Sequence, residues 1–168
     1  YKKNKNITIN KSDINLWFTG GNNYNIGKIL DEKDVKYIML LNNDCKMDEE
    51  FLRNFTKKIE EIKKIWIYGP IIKWYDWSIQ AIWSYINLWA GSSKRLKNIK
   101  WDNQIVDYVT GSCMIIPRTI IKKIGLLDDK FFAYWEESDY CLRAKKQWYE
   151  TYSINVDCIY HKEESAQR

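Results

Sequence analysis

A chain of 168 residues, 45% apolar and 29% charged, is long enough for one domain with a real core and too apolar for a disordered tail or a collagen-like fibre. Its 27 Lys and Arg against 22 Asp and Glu give +5, which suits a phosphate-bearing ligand or an anionic surface and is too small to indicate nucleic acid. Nine Trp and twelve Tyr supply core bulk and also rings that stack on sugars or nucleobases.

In chain order, Ile7-Thr8-Ile9 reads as a short strand, and Gly20-Gly21-Asn22-Asn23 as a turn opening a helix to about Asp31. Tyr37-Ile38-Met39-Leu40-Leu41 is a continuous apolar run, the mark of a strand buried on both faces, and it ends abruptly in Asn42-Asn43-Asp44. Asp48 reads as an N-cap with Glu49 and Glu50 in the first turn, followed by Phe51, Leu52, Phe55, Ile59 and Ile62 at helical spacing. A strand at Ile65 to Tyr68 is closed by Gly69-Pro70.

Between Ile71 and Trp101 the pattern fits either a helix, with Ile79, Ile82, Trp83, Ile86 and Trp89 on one face, or a hairpin. Val106 to Ile116 reads as a strand interrupted by Gly111, and Pro117 opens a short helix to Ile124. After a loop at Gly125 to Asp129, the acids Glu136, Glu137 and Asp139 start a helix with Cys141, Ala144 and Trp148 as its buried stripe. A last strand covers about Thr151 to Ile154. Strands alternating with helices predict an α/β domain with a mostly parallel sheet.

The four cysteines form no CxxC pair, so neither a zinc ribbon nor a thioredoxin-like site is signalled, and a reduced cytoplasmic setting is the plain reading. The longest uncharged stretch near Trp77 to Ser93 is short for a bilayer and broken by polar residues.

Chemistry concentrates at a few positions. Asp44 stands at the carboxyl end of a buried strand, where open α/β sheets place ligands and where a hard cation takes oxygen donors; a turn aspartate capping the next helix is the simpler alternative. His161, the only histidine, follows the apolar Cys158-Ile159-Tyr160. Acids at a helix start stabilise it by themselves. Set among Phe131, Phe132, Tyr134 and Trp135, however, a carboxylate is also poised as a general base, because apolar surroundings raise its pKa. Gly20-Gly21 allows close approach of backbone to a phosphate, although it is neither a dinucleotide fingerprint nor a P-loop.

Taken in order, Trp17 to Asn23, Tyr37 to Asp44, Asp107 to Met114, Phe131 to Arg143 and Tyr160-His161-Lys162 resemble the family-2 glycosyltransferases, in particular their rhamnosyltransferase-like branch. That family carries a G-F-x-x-G-x-N block, a strand ending in a DxD-type motif, a V-T-G strand, an E-D-x-D-x-C-x-R helix start and a late Y-H. The resemblance covers nearly the whole chain, read as a single domain over 1–168. It implies a GT-A-like α/β fold whose first βαβ portion, which grips the nucleotide base, is missing.

By that resemblance Asp44 and His161 are metal ligands for Mg2+ or Mn2+. Gly20, Gly21, Asn22, Asn42 and Asp44 face the donor, and Gly111 and Asp139 the acceptor. Glu136 and Glu137 match the catalytic Glu-Asp pair, with Glu137 as the base. The segment 71–101 becomes a strand-rich arm bordering the acceptor. The chain departs from the family in Trp17 for a glycine and Glu137 for an aspartate, one methylene longer.

The implied reaction is inverting transfer of a sugar from a UDP- or dTDP-sugar, dTDP-rhamnose among them, to a glycan or lipid-linked hydroxyl. It would take place in the cytoplasm or at the cytoplasmic face of a membrane, with no nucleic-acid partner. Lack of the front portion implies an exposed edge near Tyr37–Leu41 and self-association. A non-catalytic carbohydrate-binding module using the Trp and Tyr residues is the rival from another class, needing neither His161 nor Glu137; a metal-dependent phosphotransferase is the nearest enzymatic rival.

Overall fold

A computed structural model of the chain describes residues 7–76, 78–81, 83–87, 89–90, 92–96, 103–131 and 134–161. In chain order the elements are α1 Trp17–Ile29, β1 Tyr37–Leu41, β2 Cys45–Met47, α2 Phe51–Ile62, β3 Ile67–Trp74, β4 Ile79–Ala81, β5 Trp83–Asn87, β6 Ser92–Leu96, β7 Asn103–Val106, β8 Cys113–Pro117, α3 Arg118–Ile124, α4 Glu136–Lys146 and β9 Thr151–His161.

The main sheet runs β1-β8-β3-β9-β2, with β4 added to β3 and β7 to β9, while β5 and β6 pair as a separate ribbon. The α/β layout is as expected, but the sheet is mixed rather than mostly parallel. Among the described residues β3 and β9 form the parallel pair, and β8 runs antiparallel to both β1 and β3 between them. A parallel pair needs a long crossover, which the stretch from β3 to β9 supplies; the strands inserted along that stretch pair antiparallel instead.

Strand alternation divides the apolar side chains between two faces. Ile38 and Leu40 of β1, Ile67 and Ile71 of β3, and Met114 and Ile116 of β8 join Ile26 of α1, Ile120 and Ile121 of α3 and Tyr140, Cys141 and Ala144 of α4. Tyr68, Ile72, Cys113, Ile115, Ile154 and Ile159 point the other way, onto Phe51, Phe55 and Ile59 of α2. Each helix thus covers a face it has apolar residues to match, and burial of each such side chain contributes about 1.5–3 kcal/mol.

Several local expectations change. Residues 7–9 form no strand; Ile7 and Ile9 are exposed. Gly20 to Asn23 lie inside α1, not in a turn before it. Residue 50, not Asp48, is the N-cap of α2, and Asp48 contributes its backbone carbonyl to Phe51 N. Rather than closing a strand, Gly69-Pro70 sits within β3. A Cβ at Gly69 would meet the Val109 side chain at 2.5 Å, and Pro70 falls where the β3–β9 register shifts, so its missing N–H breaks no regular ladder.

The arm after β3 is strand-rich, built from β4, β5 and β6, as the resemblance implied and the helical alternative did not. Trp148 leaves the predicted buried stripe: α4 ends at Lys146, and Trp148 has φ 66° and is 93% exposed. Instead of stopping near Ile154, β9 continues to His161.

Candidate metal and acceptor site

The turn after β1 carries the key carboxylate. Cys45 N donates to Asn42 O at 3.1 Å, closing a tight turn that holds Asp44 at the sheet's carboxyl edge. Asn42 N donates to Ser112 O at 3.0 Å, fixing this turn to the one before β8. Strand β2 then pairs antiparallel with the end of β9, setting Cys45 opposite His161.

Asp44 Oδ1 and His161 Nε2 lie 3.1 Å apart. Both atoms are buried, and neither has a hydrogen-bond partner. His161 Nδ1 is 3.1 Å from Gln80 Oε1, a hydrogen bond that orients the ring so that Nε2 faces the carboxylate. Trp74, its neighbour across the parallel β3–β9 pair, stacks on the imidazole at 5.6 Å and 12° and holds the ring plane.

A carboxylate oxygen and an imidazole nitrogen at this distance are two donor atoms that one cation can join. Neighbouring ligands of an octahedral cation at about 2.1 Å are roughly 3.0 Å apart, so the spacing of this pair fits a hard divalent ion. The Gln80 contact is the outer hydrogen bond that orients a metal-binding histidine. Cys45 Sγ also lies within reach; the three donor atoms are all within 4.8 Å of one another. Its thiol donates to Ser112 O at 3.5 Å, and its pKa is pushed up to about 11, chiefly by burial and further by the Asp44 charge.

The turn Thr110–Ser112 connects this cluster to the acids of α4. Its buried hydroxyls are 3.2 Å apart, and Ser112 N donates to Thr110 Oγ1. A Cβ placed on Gly111 would lie 3.2 Å from Phe18 Cζ and 3.8 Å from Glu136 Oε1. Glycine here lets α1 and the start of α4 close on the turn.

Glu136 and Glu137 are both buried. Glu136 Oε2 has no hydrogen-bond partner, and burial holds its carboxyl above the usual range. Tyr134 and Trp135, just before α4, both have left-handed backbone, with φ of 69° and 73°. Backbone strain of this kind costs on the order of 1–3 kcal/mol per residue and concentrates at functional sites. Asp139 is ion-paired to Arg143 at 2.8 Å, and Arg143 also binds the carbonyls of Ile124 and Leu126, pinning the loop after α3.

The glycine-asparagine block sits apart from the cation pair in its bonding. Asn22 Nδ2 donates back to Phe18 O within α1, and Asn23 makes two bonds to the Leu127 backbone, tying α1 to the loop after α3. A Cβ at Gly21 would meet nothing, and one at Gly20 would touch Leu16 Cβ at 3.3 Å. Trp74, Gln80 and Ser112 have site roles that sequence reading missed. Trp74 and Gln80 lie in the segment whose periodicity was ambiguous, and Ser112 acts through its backbone oxygen, which leaves no sequence signal.

A mixed sheet with this helical cover, carrying an aspartate after β1 and a histidine at the end of β9, has the GT-A glycosyltransferase fold. It matches the crystal structure of GalNAc-T7 with UDP, GalNAc and Mn2+ at a TM-score of 0.68 and 10% sequence identity, covering 92% of this chain and 32% of that one. No protein-family model matches the sequence.

Sequence relatives agree with the fold. The chain is 27% identical over 140 residues to the low-salt glycan biosynthesis hexosyltransferase Agl10 of Haloferax volcanii, covering 79% of this chain and 44% of the relative. It is 26% identical over 83 residues to the N-acetylglucosaminyl-diphospho-decaprenol L-rhamnosyltransferase of Mycobacterium tuberculosis, covering 49% of this chain and 27% of the relative. The chain has the GT-A fold and is similar in sequence to glycosyltransferases, and it spans less than half the length of the curated relatives it matches.

Proposed function

We propose that this chain forms the metal and acceptor side of an inverting glycosyltransferase that uses a nucleotide-diphosphate sugar and a glycan or lipid-linked hydroxyl. The observation that carries this reading is the Asp44–His161 pair, a carboxylate oxygen and an imidazole nitrogen, both buried, 3.1 Å apart. Asp44 and His161 hold a divalent cation, Mg2+ or Mn2+, which when bound offsets the negative charge of the departing diphosphate.

Glu137 removes the proton of the acceptor hydroxyl as that oxygen attacks the anomeric carbon. Glu136, buried beside Gly111, shapes the acceptor end of the cleft. The exposed Tyr134 and Trp135 offer rings to an acceptor sugar. The names of the two sequence relatives support a hexosyl or rhamnosyl donor and a glycan-building or lipid-linked acceptor.

Calorimetric titration of the chain with Mn2+ tests the reading. Wild type binds one class of ion, and Asp44→Asn loses it, with His161→Ala weakening it less. Unchanged Mn2+ titration in both variants would reduce Asp44 to a turn residue. Sugar binding that persists unaltered in a chelator would favour a non-catalytic carbohydrate-binding module.

A further inference from the structure

The thiol beside the cation pair is not used by the reaction described above. Cys45 opens β2 directly after Asp44 and stands opposite His161 in the antiparallel register, so the two side chains emerge on the same face of the sheet. Its sulfur and the donor atoms of Asp44 and His161 lie within 4.8 Å of one another. The thiol's existing bond, to Ser112 O at 3.5 Å, is that of a weak donor.

Carboxylate, imidazole and thiol make a donor set of mixed softness. Oxygen-seeking ions such as Mg2+ leave sulfur alone, whereas Zn2+ takes thiolate, imidazole and carboxylate readily, typically in tetrahedral sites. A tetrahedral zinc with sulfur at about 2.3 Å and nitrogen or oxygen at about 2.0 Å has donors roughly 3.5 Å apart. From within 4.8 Å, a shift of about an ångström brings the donors to that range.

We propose that this site has a second, zinc-type binding mode in which Cys45 joins Asp44 and His161 as a third ligand, making zinc an inhibitor that competes with the catalytic ion. The inference rests on the reading of Asp44 and His161 as metal ligands. On binding, the S–H proton passes to solvent, the bond to Ser112 O breaks and a sulfur–zinc bond forms. Three protein ligands leave a tetrahedral ion one open position. An octahedral ion held by Asp44 and His161 keeps several, enough for two oxygens of a diphosphate. Zinc therefore fills the site and impairs donor binding together.

Cobalt(II) serves as the spectroscopic probe. Titration of the chain with Co2+ produces a near-ultraviolet sulfur-to-cobalt charge-transfer band that Zn2+ removes by displacement. Cys45→Ser, nearly isosteric, abolishes the band yet still binds Mn2+ like wild type, and Cys158→Ser leaves the band in place. In the unmutated chain, Zn2+ at ten times its Kd slows alkylation of Cys45, read by peptide mass spectrometry, by roughly tenfold.

Cobalt binding without a charge-transfer band, a band that survives Cys45→Ser, or Cys45 alkylated at full rate under saturating Zn2+ overturns the three-ligand mode while leaving the Asp44–His161 pair standing. Failure of the wild-type chain to bind either Co2+ or Mn2+ overturns the pair itself, and this inference with it.

Discussion

His161 Nε2 faces Asp44 Oδ1 across 3.1 Å, while Gln80 Oε1 lies 3.1 Å from Nδ1 on the far side of the same ring. The orientation of a ring at the end of β9 is thus set by a glutamine on β4, an edge strand held to the sheet through β3. That contact makes the site's cation affinity dependent on the arm after β3.

Gln80→Leu removes the acceptor for Nδ1–H while keeping side-chain bulk. The ring then loses its fixed orientation, and Mn2+ affinity falls by about 10–100-fold, the usual loss for an outer hydrogen bond of a metal ligand. Gln80→Glu restores an acceptor at the same reach and recovers much of the affinity. Equal Mn2+ affinities for wild type and Gln80→Leu, measured by calorimetry, would break the link between the arm and the site.

Turnover separates the two buried glutamates. In the active enzyme carrying this chain, Glu137→Gln keeps shape and hydrogen-bonding reach but accepts no proton, and lowers kcat by roughly a hundredfold or more with donor affinity nearly intact. Glu136→Gln costs less in kcat and more in acceptor KM. Near-wild-type kcat in Glu137→Gln would transfer the base to Glu136, whose Oε2 is unpartnered.

Glu136 also predicts a pH dependence of stability. Burial raises its pKa in the fold above its ordinary 4.5, so the folded chain binds this proton more tightly than the unfolded one. Its contribution is fully present below about pH 4.5 and is lost as pH rises through the folded-state value. Thermal melts of wild type therefore show a decline in Tm over this window that Glu136→Gln lacks. Parallel curves for the two proteins as pH rises above 4.5 would count against a buried, proton-favouring Glu136.

Among the described glycines, Gly69 leaves the least room for a side chain. An added Cβ would lie 2.5 Å from Val109 Cβ and 2.6 Å from its Cγ1, so Gly69→Ala forces β3 and the segment after β7 apart. Overpacking of this kind costs about 1–3 kcal/mol, readable as a lower urea midpoint. Val109→Ala gives no relief, because the Val109 Cβ itself is the closest atom; Val109→Gly in the Gly69→Ala background recovers most of the loss.

Asp44 at a strand end, the acids opening α4, the helix over Phe51 to Ile62 and the strand Tyr37 to Leu41 were all legible in the sequence, because each depends on local periodicity or on charge at a helix end. Burial of that strand on both faces was not borne out: β1 ends the sheet, with Tyr37 exposed and Met39 and Leu41 half-buried. The ordered motif blocks carried the fold class and the glycosyltransferase relationship as well. Three things were decided only by long-range pairing. The extension of β9 to His161 is stabilised by its partners β3 and β2 and not by its own composition, and it brings His161 to Asp44. The ambiguous Ile and Trp pattern after Ile71 became strands once β3 offered an edge to β4, which delivered Gln80 to the imidazole. The Gly20-Gly21 block, read as a turn from glycine's poor helix propensity, became helix because Ile26 packs into the core and Asn23 binds the Leu127 backbone. Tertiary burial and hydrogen bonding outweigh about 1 kcal/mol of propensity per glycine, and neither is visible along a single stretch of chain.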